Sequence, residues 1–371
     1  MEVYIFTLFV IYVFGFIELT ENVSFRQRNW LEMVIYITIV IQVGLRWETG
    51  TDWEPYLNNF QNVDSYDSVL LYALNGFEIG YGTFVFLIKK VFDSYSFFLL
   101  LNALIFYWGI FRMAKKYSPY FFITLLFFYA TNLGMVGSNR QLLAIIICLW
   151  SLEYVFYRKP LKFFATVGFA FLFHTTALLF GIYYFLNRNF KTVTVVSVLI
   201  ISIIIGLTSW PIFLFTEISG SLGDIAASKT AFYLEGGKDV WSSQSLSVLG
   251  LIKRLLLLAI FTYNYPFLTT RLNYYKVLYN GYIFGMVIYF IFANSLLILV
   301  NRGSLYFNLM ESLLISCQFL VFYKNWDRKF VFLILLLIST VFLFQSISAY
   351  PELFDPYKGL FYNVDLKREM F

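Results

Sequence analysis

Residues 95–113 read YSFFLLLNALIFYWGIFRM, and Lys115 and Lys116 follow almost directly. This run has close to the ~20 apolar residues that a helix needs to cross the hydrocarbon core of a bilayer, and it carries no charge before Arg112. Basic clusters of this kind are typical of loops on the cytoplasmic side of a membrane. The stretch therefore predicts a transmembrane helix whose C-terminal end faces the cytoplasm.

Comparable apolar runs recur along the whole chain. They lie at about 2–17, 31–45, 119–136, 140–157, 160–174, 175–187, 192–213, 246–264, 276–300, 303–323 and 329–349. Of the 371 residues 60% are hydrophobic and 13% are charged, whereas a soluble domain carries roughly 25% charged residues. A water-soluble enzyme is excluded. We predict an all-α polytopic integral membrane protein with about 10–12 transmembrane helices, forming a single membrane domain over 1–371.

The basic clusters also predict an orientation. They occupy alternate short loops, which places the two long loops, 46–94 and 214–245, on the outer side of the membrane. Asp67 and Ser68 are expected to cap an interfacial helix in the first of these loops. The run 160–187 is compatible with two spans, with one long tilted helix, or with two half-helices broken near His174.

Several functions find no support in the sequence. The net charge is +5, but the basic residues are scattered in short clusters, which argues against nucleic-acid binding. Cys148 and Cys317 lie far apart inside apolar runs, so we expect packing residues rather than metal ligands. No Walker loop, GxGxxG, HExxH or GxSxG motif occurs, and the sequence predicts no cofactor and no metal site.

Five ionisable residues are predicted at outer helix ends, where charge close to the membrane core is expensive. They are Arg46, Arg140, His174, Arg254 and Arg302. A single arginine there is typically an anchor or a partner of a carboxylate, but several on one face indicate an anion site. Arg140 begins a predicted helix, whose free N–H groups also attract anions. His174, the only histidine, is either a packing residue or a group that exchanges protons.

Two acidic residues complete the candidate set. Asp52 follows a glycine turn in the first outer loop, where solvation is the simplest explanation of its charge. Glu78 lies between an apolar helix face and two glycines, so we expect it to pair with a cation such as Arg46.

The ordered motifs of this chain resemble those of the EpsG family, which is grouped with the Wzy-type polymerases of bacterial polysaccharides. The motifs are GLR (44–46), TGTDWEPY (49–56), FEIGY (77–81), NRQLLA (139–144), FHTTA (173–177) and RGSLYF (302–307). The resemblance covers about 40–310, and Asp355, Pro356 and Tyr357 extend it toward the C-terminus.

The resemblance implies a GT-C-like glycosyltransferase fold in the bacterial cytoplasmic (inner) membrane. It implies a polymerase of capsule, exopolysaccharide or O-antigen that acts on undecaprenyl-diphosphate-linked oligosaccharides, with its active site facing the periplasm or exterior. Arg46, Arg140, Arg254 and Arg302 would then bind the diphosphate, because guanidinium groups contact phosphate oxygens in pairs without a metal. The base that accepts the proton of the acceptor hydroxyl would be His174, Glu78 or Asp52.

Three other functions remain open from the sequence. A flippase or transporter of lipid-linked oligosaccharide would also have about a dozen helices, a polysaccharide ligase would share the diphosphate chemistry, and an acyltransferase would need an acid beside His174. The predicted partners are the lipid-linked oligosaccharide, membrane lipid, and flippase and chain-length regulator proteins.

Overall fold

The computed structural model describes residues 1–20, 23–50, 52–221, 248–297, 299–348 and 351–360, and the single residues 223, 230, 231 and 234. The first helices are α1 (Glu2–Thr20), α2 (Phe25–Gly44), α3 (Trp53–Asn62), α4 (Tyr66–Leu74), α5 (Ile79–Val91), α6 (Tyr95–Tyr117), α7 (Phe121–Asn132), α8 (Asn139–Phe156) and α9 (Pro160–Phe171). After the 3₁₀ helix Thr175–Phe185 come α10 (Thr192–Gly206), α11 (Trp210–Ser221), α12 (Val248–Tyr263), α13 (Tyr265–Arg271), α14 (Tyr275–Phe292), the π-helix Leu299–Gly303, α15 (Leu305–Gln318), α16 (Asn325–Ser348) and α17 (Pro351–Phe354). Within these residues the chain is helical, and one isolated β-bridge joins Arg46 to Gly359.

The described helices confirm an all-helical multi-pass membrane protein. Five of them, α1, α6, α8, α14 and α16, are long and apolar enough to cross a membrane. Two bent pairs, α10 with α11 and α12 with α13, raise this number to seven if each pair is one span. The sequence predicted about 10–12 transmembrane helices, and fewer of the described helices are long and apolar enough to cross a membrane. The reason is that the apolar runs 119–136, 160–174, 175–187 and 303–323 form helices of 10–17 residues.

Of the alternatives left open for the run 160–187, the structure has the one with a break near His174. Helix α9 ends at Phe171, and a 3₁₀ helix begins at Thr175, so the apolar stretch 160–187 consists of two short segments rather than one long helix. The residues between them, 172–174, carry the only histidine of the chain. His174 therefore lies at a helix discontinuity, where backbone groups are available for contacts with other elements.

The chain divides into two compact units. The first contains Met1–Ser151, Phe164–Leu178 and Ile315–Phe371, and its core is formed by α2 against α6 and by α7 against α1 and α16. Glu18 of α1 accepts hydrogen bonds at 2.9 Å from the backbone N–H groups of Phe121 and Phe122. A carboxylate thus caps the start of α7, where the helix dipole favours negative charge.

The first predicted outer loop, 46–94, is itself largely helical, because it contains α3, α4 and α5. The predicted cap at Asp67 and Ser68 is wrong by two to three residues: Ser65 is the N-cap of α4 and forms a capping box with Ser68. The uncharged serine side chain accepts a hydrogen bond from the N–H group three residues later. It therefore satisfies one of the free N–H groups at the start of this helix directly. The interfacial position of α4 stays a prediction.

The second unit contains Leu152–Phe163 and Leu179–Leu314. Helix α10 packs closely on α14, because a Cβ atom at Gly206 would lie 2.0 Å from the carbonyl oxygen of Phe290. Lys253 and Glu311 form an ion pair at 2.8 Å between α12 and α15. Most of the second predicted outer loop, 214–245, lies outside the described residues, and its first part belongs to α11.

Candidate functional site

Arg46 follows α2 and is 4% exposed. Its guanidinium donates to the carbonyl oxygen of Val43 at 2.6 Å and to the side-chain oxygen of Asn139 at 2.7 Å. Burial lowers its pKa from the ordinary value, but an arginine remains charged at any physiological pH. Among the described residues no carboxylate forms an ion pair with Arg46. The cation expected beside Glu78 is therefore not Arg46, the example that the sequence suggested.

Backbone contacts from the C-terminal segment surround Arg46. The N–H of Trp47 donates to the carbonyl oxygen of Lys358 at 2.9 Å, and the N–H of Leu360 donates to the carbonyl oxygen of Leu45 at 2.7 Å. These two hydrogen bonds flank Arg46 on both sides and fix its backbone. In the sequence, the one hint of these contacts is the resemblance that extends toward Tyr357.

The loop that begins at Arg46 packs directly on the loop before α8. Gly50 and Gly137 have φ angles of 91° and 113°, a conformation that side chains other than glycine rarely adopt. A Cβ atom at Gly50 would lie 2.4 Å from the carbonyl oxygen of Val136. The two glycines thus allow the close approach that brings Arg46 and Asn139 together.

Arg140, next to Asn139, is held by a carboxylate and two aromatic rings. Its guanidinium pairs with Glu78 at 2.7 Å and donates to the hydroxyl of Tyr56 at 3.3 Å. The centroids of the Phe77 and Tyr56 rings lie 4.5 and 5.5 Å from it, within cation–π distance. The anion site predicted at the start of α8 therefore receives a carboxylate of the protein itself. Tyr56 and Phe77 belong to motifs quoted above, but no role was predicted for them from the sequence.

Glu78 connects Arg140 to the segment of His174. Its other carboxylate oxygen accepts the backbone N–H of Thr175 at 3.2 Å. In return, the carbonyl oxygen of Leu172 accepts the N–H groups of Gly80 and Tyr81, at 2.8 and 3.3 Å. Because both oxygens of Glu78 are engaged, its role as the base stays a prediction that its geometry does not favour.

His174 is buried, with 6% of its surface exposed. Its Nδ1 atom lies 2.7 Å from the hydroxyl of Thr176 and 3.3 Å from the backbone nitrogen of Thr176. Asp52 occupies the N-cap position of α3 without a side-chain capping bond. The first unit thus joins Arg46, Arg140, Glu78 and His174 through Asn139 and Thr175, and places Asp52 six residues after Arg46 in the same loop.

The other two predicted arginines belong to the second unit. Arg254 donates to the carbonyl oxygen of Gly250 at 3.1 Å, and its guanidinium lies 4.3 Å from the ring centroid of Tyr289. Arg302 lies in the π-helix Leu299–Gly303, a geometry that often marks functional sites. Val300 of this π-helix and Tyr289 belong to one buried apolar cluster.

No group of three or more His, Cys, Asp or Glu side chains that could hold a metal ion occurs in the part of the chain that the structure describes. Cys148 and Cys317 are both buried free thiols. The structure therefore leaves them as packing residues, as the sequence predicted.

The close contact at Gly80 allows a test of how the site is assembled. A Cβ atom there would lie 2.6 Å from the carbonyl oxygen of Leu172, so Gly80→Ala pushes the His174 segment away from Glu78. We expect a loss of about 1–3 kcal/mol of stability and a matching loss of activity. Gly168→Ala is the control, because nothing lies within 4 Å of a Cβ at Gly168. Thermal unfolding in detergent measures the stability of both variants. Equal melting temperatures of Gly80→Ala and Gly168→Ala would contradict this account of how the site is assembled.

The fold and the site together define a class: a multi-pass helical membrane protein with arginines gathered beside buried aromatic and acidic groups. The model of the EpsG family matches residues 29–359, and the chain belongs to the EpsG family. The comparisons with curated proteins and with solved structures gave no match. Membership indicates a membrane protein of polysaccharide biosynthesis.

Proposed function

We propose that this chain is a Wzy-type polysaccharide polymerase, a membrane glycosyltransferase that joins undecaprenyl-diphosphate-linked oligosaccharide repeat units. The proposal includes a GT-C-like arrangement of the helices in the bacterial cytoplasmic membrane and a site that faces the exterior. Family membership supports the class of protein. One structural observation supports the chemistry, and it concerns Arg46.

Arg46 is a permanent charge in a buried position where no described carboxylate pairs with it. A buried charge without a counter-ion is costly, whereas a buried charge that meets an anion recovers that cost. Arg140 differs, since Glu78 already neutralises it. A diphosphate of the substrate supplies the negative charge that Arg46 lacks, and fixed guanidinium donors stabilise the charge that grows on a departing diphosphate.

The proposed reaction is a displacement at the anomeric carbon of the growing glycan. A hydroxyl oxygen of the next lipid-linked unit forms a bond to this carbon, and the bond from the carbon to the diphosphate oxygen breaks. Undecaprenyl diphosphate leaves with the electron pair, and the hydroxyl proton passes to a base. His174, Glu78 and Asp52 are proposed as candidates for the base, and both oxygens of Glu78 accept hydrogen bonds.

Arg254 and Arg302 are proposed as further diphosphate contacts within the second unit. Flippase and chain-length regulator proteins are proposed as partners, since the polymerase would receive its substrate from a flippase and share control of product length with a regulator.

The test is a reaction with purified protein and lipid-linked repeat units in detergent, followed by electrophoresis of the glycans. A polymerase produces a ladder of chain lengths that differ by one repeat unit. A ligase transfers glycan only when a separate acceptor is added, and a flippase leaves the units unchanged. A ladder supports the proposal, and the absence of products longer than one unit contradicts it.

A further inference from the structure

A cleft lies beside Arg46 within the first unit. Its lining includes Arg46, Glu48, Trp53, Tyr95 and Asn139. Arg46 is otherwise buried, so a ligand that enters this cleft meets the guanidinium. The proposed diphosphate contact uses Arg46 alone, and the remaining side chains of the cleft are available to the group that the diphosphate carries.

Glu48 offers hydrogen-bond acceptors in this cleft. One of its oxygens pairs with the Lys358 ammonium at 3.1 Å, and 29% of its side chain is exposed. An ionised carboxylate accepts about four hydrogen bonds and donates none. An ionised diphosphate also only accepts, whereas the hydroxyl groups of a sugar donate. Glu48 can therefore hold a sugar hydroxyl but not a phosphate oxygen.

The backbone of Glu48 has a conformation that favours glycine. Its φ angle is 45°, in the left-handed region where a residue with a Cβ atom is strained. Strain of this kind is frequent at ligand sites. The pair with Lys358 is partly exposed, and such pairs contribute little stability. A glycine would fit position 48 without strain, so the fold alone does not account for the glutamate side chain.

Trp53 gives the cleft an apolar wall. It is the first residue of α3 and is half-buried, and its backbone N–H donates to the carbonyl oxygen of Gly50 at 3.3 Å. A sugar ring has apolar C–H faces and a rim of hydroxyl groups, so it suits a cleft where an aromatic surface lies beside polar side chains. A polyprenyl chain suits the aromatic surface only, because covering Arg46 and Glu48 with it would remove their hydration at a cost.

We infer that this cleft binds the sugar ring bonded directly to the diphosphate, with Trp53 against an apolar face of the ring and Glu48 accepting a hydrogen bond from a ring hydroxyl. The inference rests on the proposed function for its ligand, because a diphosphate at Arg46 carries its sugar to the neighbouring walls. The diphosphate is common to all lipid-linked units, whereas the sugar is not. Trp53 and Glu48 are therefore the residues that select the first sugar.

The first arm of the test measures binding by isothermal titration in detergent. The probes are the lipid-linked repeat unit and undecaprenyl diphosphate without glycan. We expect Trp53→Ala to bind the repeat unit about 10-fold more weakly and undecaprenyl diphosphate unchanged, because only the sugar meets the ring. Trp53→Phe keeps an aromatic face and is expected to bind both probes normally. Trp30→Ala is the matched control, since Trp30 is 56% exposed and lies in the first half of α2.

The two probes separate this inference from the proposed function. Equal affinities of Trp53→Ala and the unaltered protein for the repeat unit would overturn the inference and leave the proposed function standing. An equal loss for both probes would also overturn it, because the ring would then contact the lipid or the diphosphate. If the unaltered protein binds neither probe, the proposed function fails and the inference fails with it.

The second arm replaces Glu48, where glycine suits the backbone. We expect Glu48→Gly to melt close to the temperature of the unaltered protein, to bind the repeat unit about 10-fold more weakly, and to bind undecaprenyl diphosphate unchanged. Lys358→Gln is the control, because it removes the same ion pair and keeps the carboxylate, so its binding is expected to be normal. Unchanged binding of the repeat unit by Glu48→Gly, or an equal loss in Lys358→Gln, would overturn the role of Glu48.

Discussion

Replacing Arg46 lowers the rate of polymer formation by about 10²–10³-fold, the size of effect expected when a fixed donor to a developing negative charge is lost. Arg46→Lys is expected to fail nearly as badly as Arg46→Gln. The guanidinium already donates to Val43 and Asn139, and a lysine ammonium cannot hold both bonds and still present donors to a diphosphate. Initial rates with purified lipid-linked units measure the effect.

Folding is expected to survive these changes, because removing Arg46 leaves no described carboxylate without an ion-pair partner. The cost is limited to the hydrogen bonds that Val43 and Asn139 accept, about 1–3 kcal/mol each for a group left unsatisfied. Arg26→Gln is the matched control, since Arg26 is an exposed arginine. Near-normal polymerisation by well-folded Arg46→Lys would show that this position needs only a positive charge.

Glu78→Gln destabilises the protein by about 3 kcal/mol, because it leaves the Arg140 guanidinium without its carboxylate partner in a largely buried position. Arg140→Met leaves the Glu78 carboxylate without its cationic partner and lowers the free energy of unfolding by a similar amount. The double variant is expected to recover part of the loss, since no unpaired charge remains. Titration with SDS in mixed micelles measures the free energy of unfolding for all four proteins.

The matched control for this pair is Asp64→Asn. Lys89 and Asp64 are 2.6 Å apart, but the Asp64 side chain is 76% exposed, and exposed pairs contribute only ~0–1 kcal/mol. If Glu78→Gln costs no more than Asp64→Asn, or if the losses of the single variants simply add, the ion pair does not hold the site together. The same variants also distinguish two roles of Glu78. If Glu78 were only the catalytic base, Glu78→Gln would remove activity and leave stability unchanged.

The membrane class and most of the cluster were predictable from the sequence. Apolar runs of near-membrane length with intervening basic clusters indicate a multi-pass protein. The cost of charge near lipid drew attention to five residues at predicted helix ends. Three of the five, Arg46, Arg140 and His174, lie in one unit of the structure. These arguments are local, so they need no knowledge of which helices touch.

The pairing inside the cluster was not predictable in the same way. The sequence indicated a cation beside Glu78 and suggested Arg46 as an example, whereas the structure pairs Glu78 with Arg140. Which of two arginines meets a carboxylate depends on long-range packing, here on the contact of Gly50 with Gly137 and of Gly80 with Leu172. The return of residues 358–360 to Arg46 is likewise a tertiary contact that no local pattern encodes.

Binding of undecaprenyl diphosphate to purified protein tests the central claim most directly, namely that the buried charge of Arg46 receives the diphosphate of the substrate. Isothermal titration in detergent would compare the unaltered protein with Arg46→Gln and with the exposed control Arg26→Gln. We predict that Arg46→Gln weakens binding by at least about 10-fold, the equivalent of one charge-assisted hydrogen bond, and that Arg26→Gln binds as the unaltered protein does. Equal affinity of all three proteins would contradict the account.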